Sequence, residues 1–521
     1  MKLKFNKLKL ALILLAIMAC KNKETKPVND VNIQVAEYYT EPYRPQFHFT
    51  PQENWMNDPN GLVYHDGIYH LFYQYYPEDI VWGPMHWGHA VSEDLIHWQH
   101  RPIALFPDKL GYIFSGSAVL DSQNTSGLGS AEHPPLVAIF TYHDMEGEKA
   151  GRNDYQTQGI AFSLDNGETW TKYERNPVIG NEGIKDFRDP KVFWNTETAL
   201  WNMLLVAGDH LQIYSSPNLK EWKKISEFGK DQGAHGGVWE CPDLFKLKVE
   251  GSNEEKWVLL ISINPGAPNG GSGTQYFVGD FDGTTFTSDQ QNNRWIDWGT
   301  DNYAGVTYNN VPNGEHIFIG WMSNWAYARD TPTDSWRSAN TVPRKLSLRK
   351  IDGSYELINY PIKNLDSIIE TSATKNLLIG GKGKEGISFD NFNQSEIKFM
   401  TLAKDFSMTF KNSKNEQLVV RMDGNKGFFS LDRSKSGKTD FQEDFGTHNQ
   451  EMPITNLPDG AYEVRILMDH SSIEVFINKG QYVMTAQLFP NENYNALTIN
   501  NFANTPLELT EFTLSKVKRI W

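Results

Sequence analysis

The chain has 521 residues, 13% of them aromatic, and a formal net charge of −15. Such a length exceeds one ordinary core and points to two domains, and so strong an acidic excess argues against nucleic acid or an anionic lipid surface as a partner and suits a neutral substrate. Helical periodicity is scarce, whereas short aromatic and β-branched runs broken by Gly, Pro, Asn and Asp recur throughout, so the expected class is all-β.

The chain begins with a basic segment, Lys2, Lys4, Lys7 and Lys9, followed by the apolar run Leu10 to Ala19. That run is well short of the roughly 20 residues a spanning helix needs, so residues 1–19 read as a signal peptide. It ends in Ile17-Met18-Ala19-Cys20, which resembles a bacterial lipobox in which Cys20 is acylated. An ordinary cleaved signal peptide with a chance cysteine is the alternative. Residues 20–40 are polar and lack strand patterning, as a tether would. With Cys20 lipidated, Cys241 is the only thiol left and no intramolecular disulfide can form.

Next comes Asn54-Trp55-Met56-Asn57-Asp58-Pro59-Asn60-Gly61. Pro59 biases Asp58 toward extended backbone and, with Asn60 and Gly61, suits a tight turn at the mouth of a strand. The runs on either side of Asp66-Gly67 read as a two-residue hairpin. The same order of acid, proline and apolar strand returns at Phe187-Arg188-Asp189-Pro190 and at Trp239-Glu240-Cys241-Pro242-Asp243. If these units are repeats around an axis, their acids converge.

A second mark repeats between about residues 45 and 360: a polar turn followed by an aromatic, as in Ser92–Trp98, Ser163–Trp170, Ser215–Trp222 and Asp280–Phe286, with a last hairpin at Asp352-Gly353. These read as the outer turns of five four-stranded blades, whose innermost strands begin near Asp58, Ser115, Asp189, Glu240 and Ala304. A β-sandwich plus an open sheet is the competing arrangement. After a polar crossing segment at about 361–375, short alternating runs without the acid-proline unit read as a separate antiparallel sandwich. The expected division is 41–360 for a catalytic propeller and 361–521 for linker and sandwich.

Two carboxylates facing each other across a sugar can cleave a glycosidic bond, provided that their surroundings set their pKa values apart. Asp58, among Asn57 and turn amides, is expected as the anion and nucleophile. Glu240, beside Trp239 and Cys241, is expected in an apolar setting suited to a general acid, and Asp189 is expected to be held ionised by Arg188. Taken singly, an Asp before Pro is more often a turn starter, and Glu240 could belong to a buried structural pair with Asp243.

Trp55–Gly61, Phe187–Pro190 and Glu240–Asp243 resemble the three signature boxes of glycoside hydrolase family 32, the invertases, inulinases and levanases. Similar blocks are Phe114–Ser117, His86–Ala90 and Gly320–Trp325, and the likeness runs from about residue 45 to the C-terminus. The resemblance implies a five-bladed β-propeller followed by a C-terminal β-sandwich, and retaining hydrolysis of β-fructofuranosides with no metal or other cofactor. Matched box by box, it implies Asp58 as nucleophile, Glu240 as acid/base and Asp189 as transition-state stabiliser. It further implies that Asn57, Gln74, Trp82, Ser115, Arg188, Asp243 and Trp325 shape the fructosyl pocket.

The expectation is thus a lipid-anchored hydrolase of the bacterial cell envelope that trims fructose from levan or inulin chains. An endo-levanase, a sucrose-preferring invertase, a fructosyltransferase and a non-catalytic fructan-binding lipoprotein are its rivals. His86, His89, His97 and His100 lack a shared helical face and a cysteine partner, which argues against a metal site. The glycine-rich run 265–273 lacks the Lys-Ser/Thr ending of a phosphate loop.

Overall fold

A computed structural model describes residues 39–447 and 449–521. The signal peptide, Cys20 and the tether up to residue 38 lie outside the described residues. The described chain is almost wholly β; its α-helices there are the short Met145–Lys149 and Glu443–Gly446.

Five strands line an axis: Asn54–His65, Tyr112–Leu120, Phe187–Asn195, Val238–Lys248 and Tyr303–Thr307. Each heads its own mostly antiparallel sheet. Each packs against the next, and the fifth against the first, so the ring closes into a five-bladed propeller. Trp336–Arg337 adds a parallel clasp alongside Asn54–Trp55. The expected hairpin holds, with His65 opposite Ile68 and with Asp66 and Gly67 at φ 47 and 84°, both left-handed as such a turn requires. The outer turns share one chemistry, a side-chain oxygen that satisfies backbone N–H groups while the chain reverses. Asp94 Oδ1 accepts from Ile96 N and His97 N at 2.9 and 2.8 Å. Asn218 Oδ1 does the same for Lys220 and Glu221 at 3.1 and 2.9 Å, and Asp282 Oδ1 for Thr284 and Thr285 at 2.8 and 2.7 Å.

The turn expected at Asp58–Gly61 does not form. Asn54–His65 is one strand whose pairing with Ile68–Tyr76 slips twice, between Met56 and Pro59 and between Asn60 and Val63. The slips leave Pro59 in a strand despite its missing donor, and Gly61 takes φ +54° where a Cβ would meet the Phe72 ring at 2.6 Å. Register shifts recur at the head of every other inner strand, and Asp189, Cys241 and Ala304 adopt left-handed backbone at φ 63, 44 and 52°. The repeated signal read from the sequence is therefore a repeated bulge, which re-aims side chains at the ring's mouth.

From Lys375 onward, two six-stranded antiparallel sheets stack face to face around a core that includes Phe399, Phe406, Phe410, Met422, Val464, Val475 and Phe512. This is the sandwich. Its seam with the propeller is ionic and buried. Arg344 Nη1 donates to Asp297 Oδ2 at 3.0 Å and its Nη2 to Glu474 of the sandwich. His48 lies between Asp469 at 2.8 Å and Glu474 at 2.7 Å, and Arg433 Nη1 donates to Asp301 at 2.7 Å. The two carboxylates beside it push His48 up to about 9 against burial, while Arg344 and His48 pull Glu474 down to about 2.

Candidate active site

The bulged heads of the inner strands open onto a cavity of about 380 Å³, lined by nine of the ten catalytic and sugar-contacting residues singled out from the sequence. Asp58 comes from the first inner strand, Ser115 from the second, Arg188 and Asp189 from the third and Glu240 from the fourth. Asn57, Gln74, Trp82 and Trp325 complete the nine.

Asp58 is buried. Its Oδ2 accepts from Ser115 Oγ at 2.6 Å and its Oδ1 from Asn57 Nδ2 at 3.0 Å, and Asn57 is itself held by Trp55 Nε1 at 2.7 Å. Burial and the charge of Glu240 push the Asp58 carboxyl up to about 6 against these hydrogen bonds. It is less readily ionised than expected because burial and the nearby charge of Glu240 outweigh the hydrogen bonds from Ser115 and Asn57.

Asp189 also departs from expectation. Burial raises its pKa, the charges of Glu240 and Asp58 add to that, and Arg188 only partly opposes them. The reason is geometric: Arg188 Nε lies 3.9 Å from Asp189, while the guanidinium is committed to Glu240 at 3.0 Å and to Asp186 at 2.7 Å. Cys241 links the two aspartates, its N–H donating to Asp189 Oδ2 at 3.0 Å and its sulfur lying 3.6 Å from Asp58 and 3.7 Å from Asp189. With three acids around it, burial and their charges raise the thiol well above its usual range, which fits a protonated sulfur rather than a nucleophile.

The surroundings of Glu240 are polar, not apolar. Arg188 donates to its Oε1 from Nε at 3.2 Å and Nη2 at 3.0 Å, and Tyr303 OH donates to its Oε2. Trp239 points the other way, into the core, with its Nε1 on Ala234 O at 2.9 Å. Alternation along a strand explains the direction of Trp239, whereas Cys241, at left-handed φ in the bulge, turns its sulfur toward the two aspartates.

Asp243 does not reach the cavity. It is fully buried beneath it, where Oδ2 accepts from Thr307 N at 2.6 Å, Thr307 Oγ1 at 2.8 Å and Lys191 Nζ at 3.2 Å. Three positions after Glu240, across the bulge, it ties the third, fourth and fifth inner strands together.

Residues 48–361 match the glycosyl hydrolases family 32 N-terminal domain and residues 364–516 the family 32 C-terminal domain. The chain belongs to glycoside hydrolase family 32. The levanase of Bacillus subtilis (strain 168) is 46% identical over 497 residues, covering 93% of this chain and 72% of the levanase. The extracellular exo-inulinase of Aspergillus awamori is 43% identical over 499 residues, covering 89% of this chain and 92% of the inulinase. A crystal structure of exo-inulinase from the same organism superposes with a TM-score of 0.85 at 39% identity, covering 93% of this chain and 100% of that one.

In this family 32 hydrolase the remaining cavity wall was not foreseen from the sequence. Tyr303 sits one position before the strand start assigned to Ala304, and no motif marks its hydroxyl as a partner of Glu240. His143, Glu148, Gln156, Asp186, Asn264 and Arg329 also line the cavity. The His143 ring stacks on Phe114 at 4.2 Å and its Nε2 lies 3.1 Å from Glu148. Arg329 lies 5.9 Å from the Trp82 ring and 5.8 Å from the Trp325 ring, bridging two aromatic walls. The four histidines close in sequence diverge: His86 lies 2.9 Å from Pro84 O, His89 3.1 Å from His70, His97 2.8 Å from Asp94 and His100 2.7 Å from Tyr39. Among the described residues no group of three His, Cys, Asp or Glu side chains is disposed to hold a metal.

Proposed function

We propose that this family 32 hydrolase cleaves β-fructofuranosidic bonds of levan or inulin with retention, releasing fructose from chain ends. The observation that carries this reading is the convergence of Asp58, Asp189 and Glu240 on one cavity, each with different partners. Similarity to a levanase and to exo-inulinases supports the fructan substrate and chain-end action.

In the first step the Asp58 carboxylate attacks the anomeric carbon while Glu240 gives its proton to the departing glycosidic oxygen, leaving a fructosyl ester on Asp58. Arg188 and Tyr303 fix the two oxygens of Glu240 so that one proton donor faces the bond. In the second step Glu240 takes a proton from water, whose oxygen displaces Asp58 and frees fructose. Asp189, which accepts from the Cys241 N–H, is given the role of stabilising positive charge on the ring as an anion in both steps. Asn57, Gln74, Ser115, Trp82 and Trp325 fit contacts to the sugar hydroxyls and faces, while Asp243 supports from below. The propeller is taken as residues 41–360 and the linker and sandwich as 361–521.

Glu240→Gln is expected to bind fructo-oligosaccharide yet lose most turnover, and wild-type digests of levan and inulin to contain fructose as the only early product. Near-normal turnover by Glu240→Gln overturns its role. Early oligosaccharides of mixed length point to an endo-levanase, and turnover of sucrose alone to an invertase.

The leader signals support an exported enzyme with lipid on Cys20 and residues 21–38 as tether. Labelled fatty acid is expected on the wild type and not on Cys20→Ser, which would be recovered as soluble protein; an unlabelled wild type rejects the anchor.

A further inference from the structure

We infer that this enzyme holds fructan at a second, non-catalytic groove between its third and fourth blades; the ligand's identity rests on the fructan reading above. The groove encloses about 730 Å³, against about 380 Å³ for the catalytic cavity. Both fall within or near the roughly 300–1,000 Å³ of ordinary ligand sites.

Two segments form its sides. One is 227–233, at the end of the outer strand Lys223–Phe228 of the third blade and the start of the connection to Val238–Lys248, the strand bearing Glu240. Gly233, the last lining residue of this segment, precedes by five positions the start of the strand that carries Glu240. The other is 288–293, which climbs the edge of the fourth blade, and Gln232 Nε2 ties the two by donating to Ser288 O at 3.0 Å. Phe228 and Phe277, packed edge to face at 5.2 Å, floor the groove.

The lining selects for a neutral, hydroxyl-rich ligand. Gln232, Gln290, Gln291, Asn292 and Asn293 supply five carboxamides, each able to donate to and accept from hydroxyls. Gln290 and Gln291 spend their amide nitrogens on Tyr276 O at 2.8 Å and Asp289 O at 3.0 Å, leaving their side-chain oxygens as acceptors. Asn292 and Asn293 make no side-chain hydrogen bond among the described residues. The groove offers no free cation to an anionic ligand, because Lys230 is paired with Glu227, which also holds Lys224 at 3.0 Å. With little apolar wall it suits neither a lipid nor a hydrophobic protein face. A polymer gripped here while its end is trimmed elsewhere gains effective concentration at the catalytic cavity, which a single sugar cannot.

The test is native electrophoresis of wild type and the N292A/N293A double variant through gels containing levan, inulin or dextran, with fructose added to fill the catalytic cavity. Wild type is expected to be retarded by levan or inulin, and the double variant to run as in a sugar-free gel. The two asparagines are exposed and unbonded, so the variant should fold and hydrolyse a short fructo-oligosaccharide at the wild-type rate. Its apparent KM for the polymer should rise about tenfold. Retardation abolished by fructose alone, equal retardation of variant and wild type, or equal retardation by dextran overturns the inference. Loss of short-oligosaccharide turnover in the wild type itself would instead strike the functional reading.

Discussion

Arg188 holds Glu240 through a fork, Nε and Nη2 both donating to Oε1 at 3.2 and 3.0 Å, while its third nitrogen is fixed by Asp186 at 2.7 Å. A lysine has the charge but not the planar fork, so it cannot grip both acids at once. Arg188→Lys is expected to lower kcat/KM about 100-fold, about 2.7 kcal/mol of barrier, with little change in thermal unfolding. Steady-state kinetics beside a melting curve check this.

Ser115 sets the acidic edge of activity. As the proposed nucleophile, Asp58, at about 6 in the free enzyme, has to be ionised to attack, so kcat/KM is expected to fall as pH drops through that value. The Ser115 hydroxyl favours the anion, and its loss raises the pKa further. Ser115→Ala is expected to move the acidic limb upward by about 0.5–1 pH unit. A limb that stays in place, or moves down, contradicts the assignment of Asp58.

The same raised pKa costs stability. A carboxyl at about 6 when folded and near 3.8 when unfolded binds more protons in the fold, so stability falls as pH rises between those values and stays reduced above them. Asp58→Asn removes the buried charge and is expected to stabilise the protein by about 1–3 kcal/mol at pH 7, with no gain at pH 3. Denaturant titrations at the two pH values read the difference.

The seam has the opposite sign on each side. His48, raised to about 9 from 6.5, adds stability that is complete below pH 6.5 and lost as pH climbs through 9. Glu474, lowered to about 2 from 4.5, adds stability above pH 4.5 that is lost as pH falls through 2. Wild type should therefore be most stable between about pH 4.5 and 6.5 as far as this pair decides it. His48→Gln should lose about 3 kcal/mol there and progressively less toward pH 9 and beyond. Melting temperatures of both proteins across that range test it.

Much of the site was legible in the chain because its acids lie in local words, each an acid, a proline and a strand. Singly, Asp58, Asp189 and Glu240 read as ordinary turn or structural acids; only their repetition set them apart and suggested convergence around an axis. What could not be read was how a strand faces. Trp239 turned out to point into the core while Cys241 sits between the two aspartates, and the bulge between Glu240 and Asp243 leaves Asp243 further along the strand, beneath the cavity. Nor could Pro59 announce a bulge instead of a turn, since both tolerate a residue without a donor. Tyr303, which bonds Glu240 from behind the cavity, and Arg329, which lines it, lie more than sixty residues further along the chain than Glu240, and contacts of that kind leave no mark on either segment.

The clasp of Trp336–Arg337 along Asn54–Trp55, with Asn54 N donating to Ser335 O at 2.8 Å, couples the earliest blade to the last stretch of the propeller. A growing chain therefore cannot finish the bed of Asp58 until nearly the whole ring has been synthesised. Fragments released from the ribosome before that point would lack the segment that flanks Asn54 and Trp55, beside Asp58.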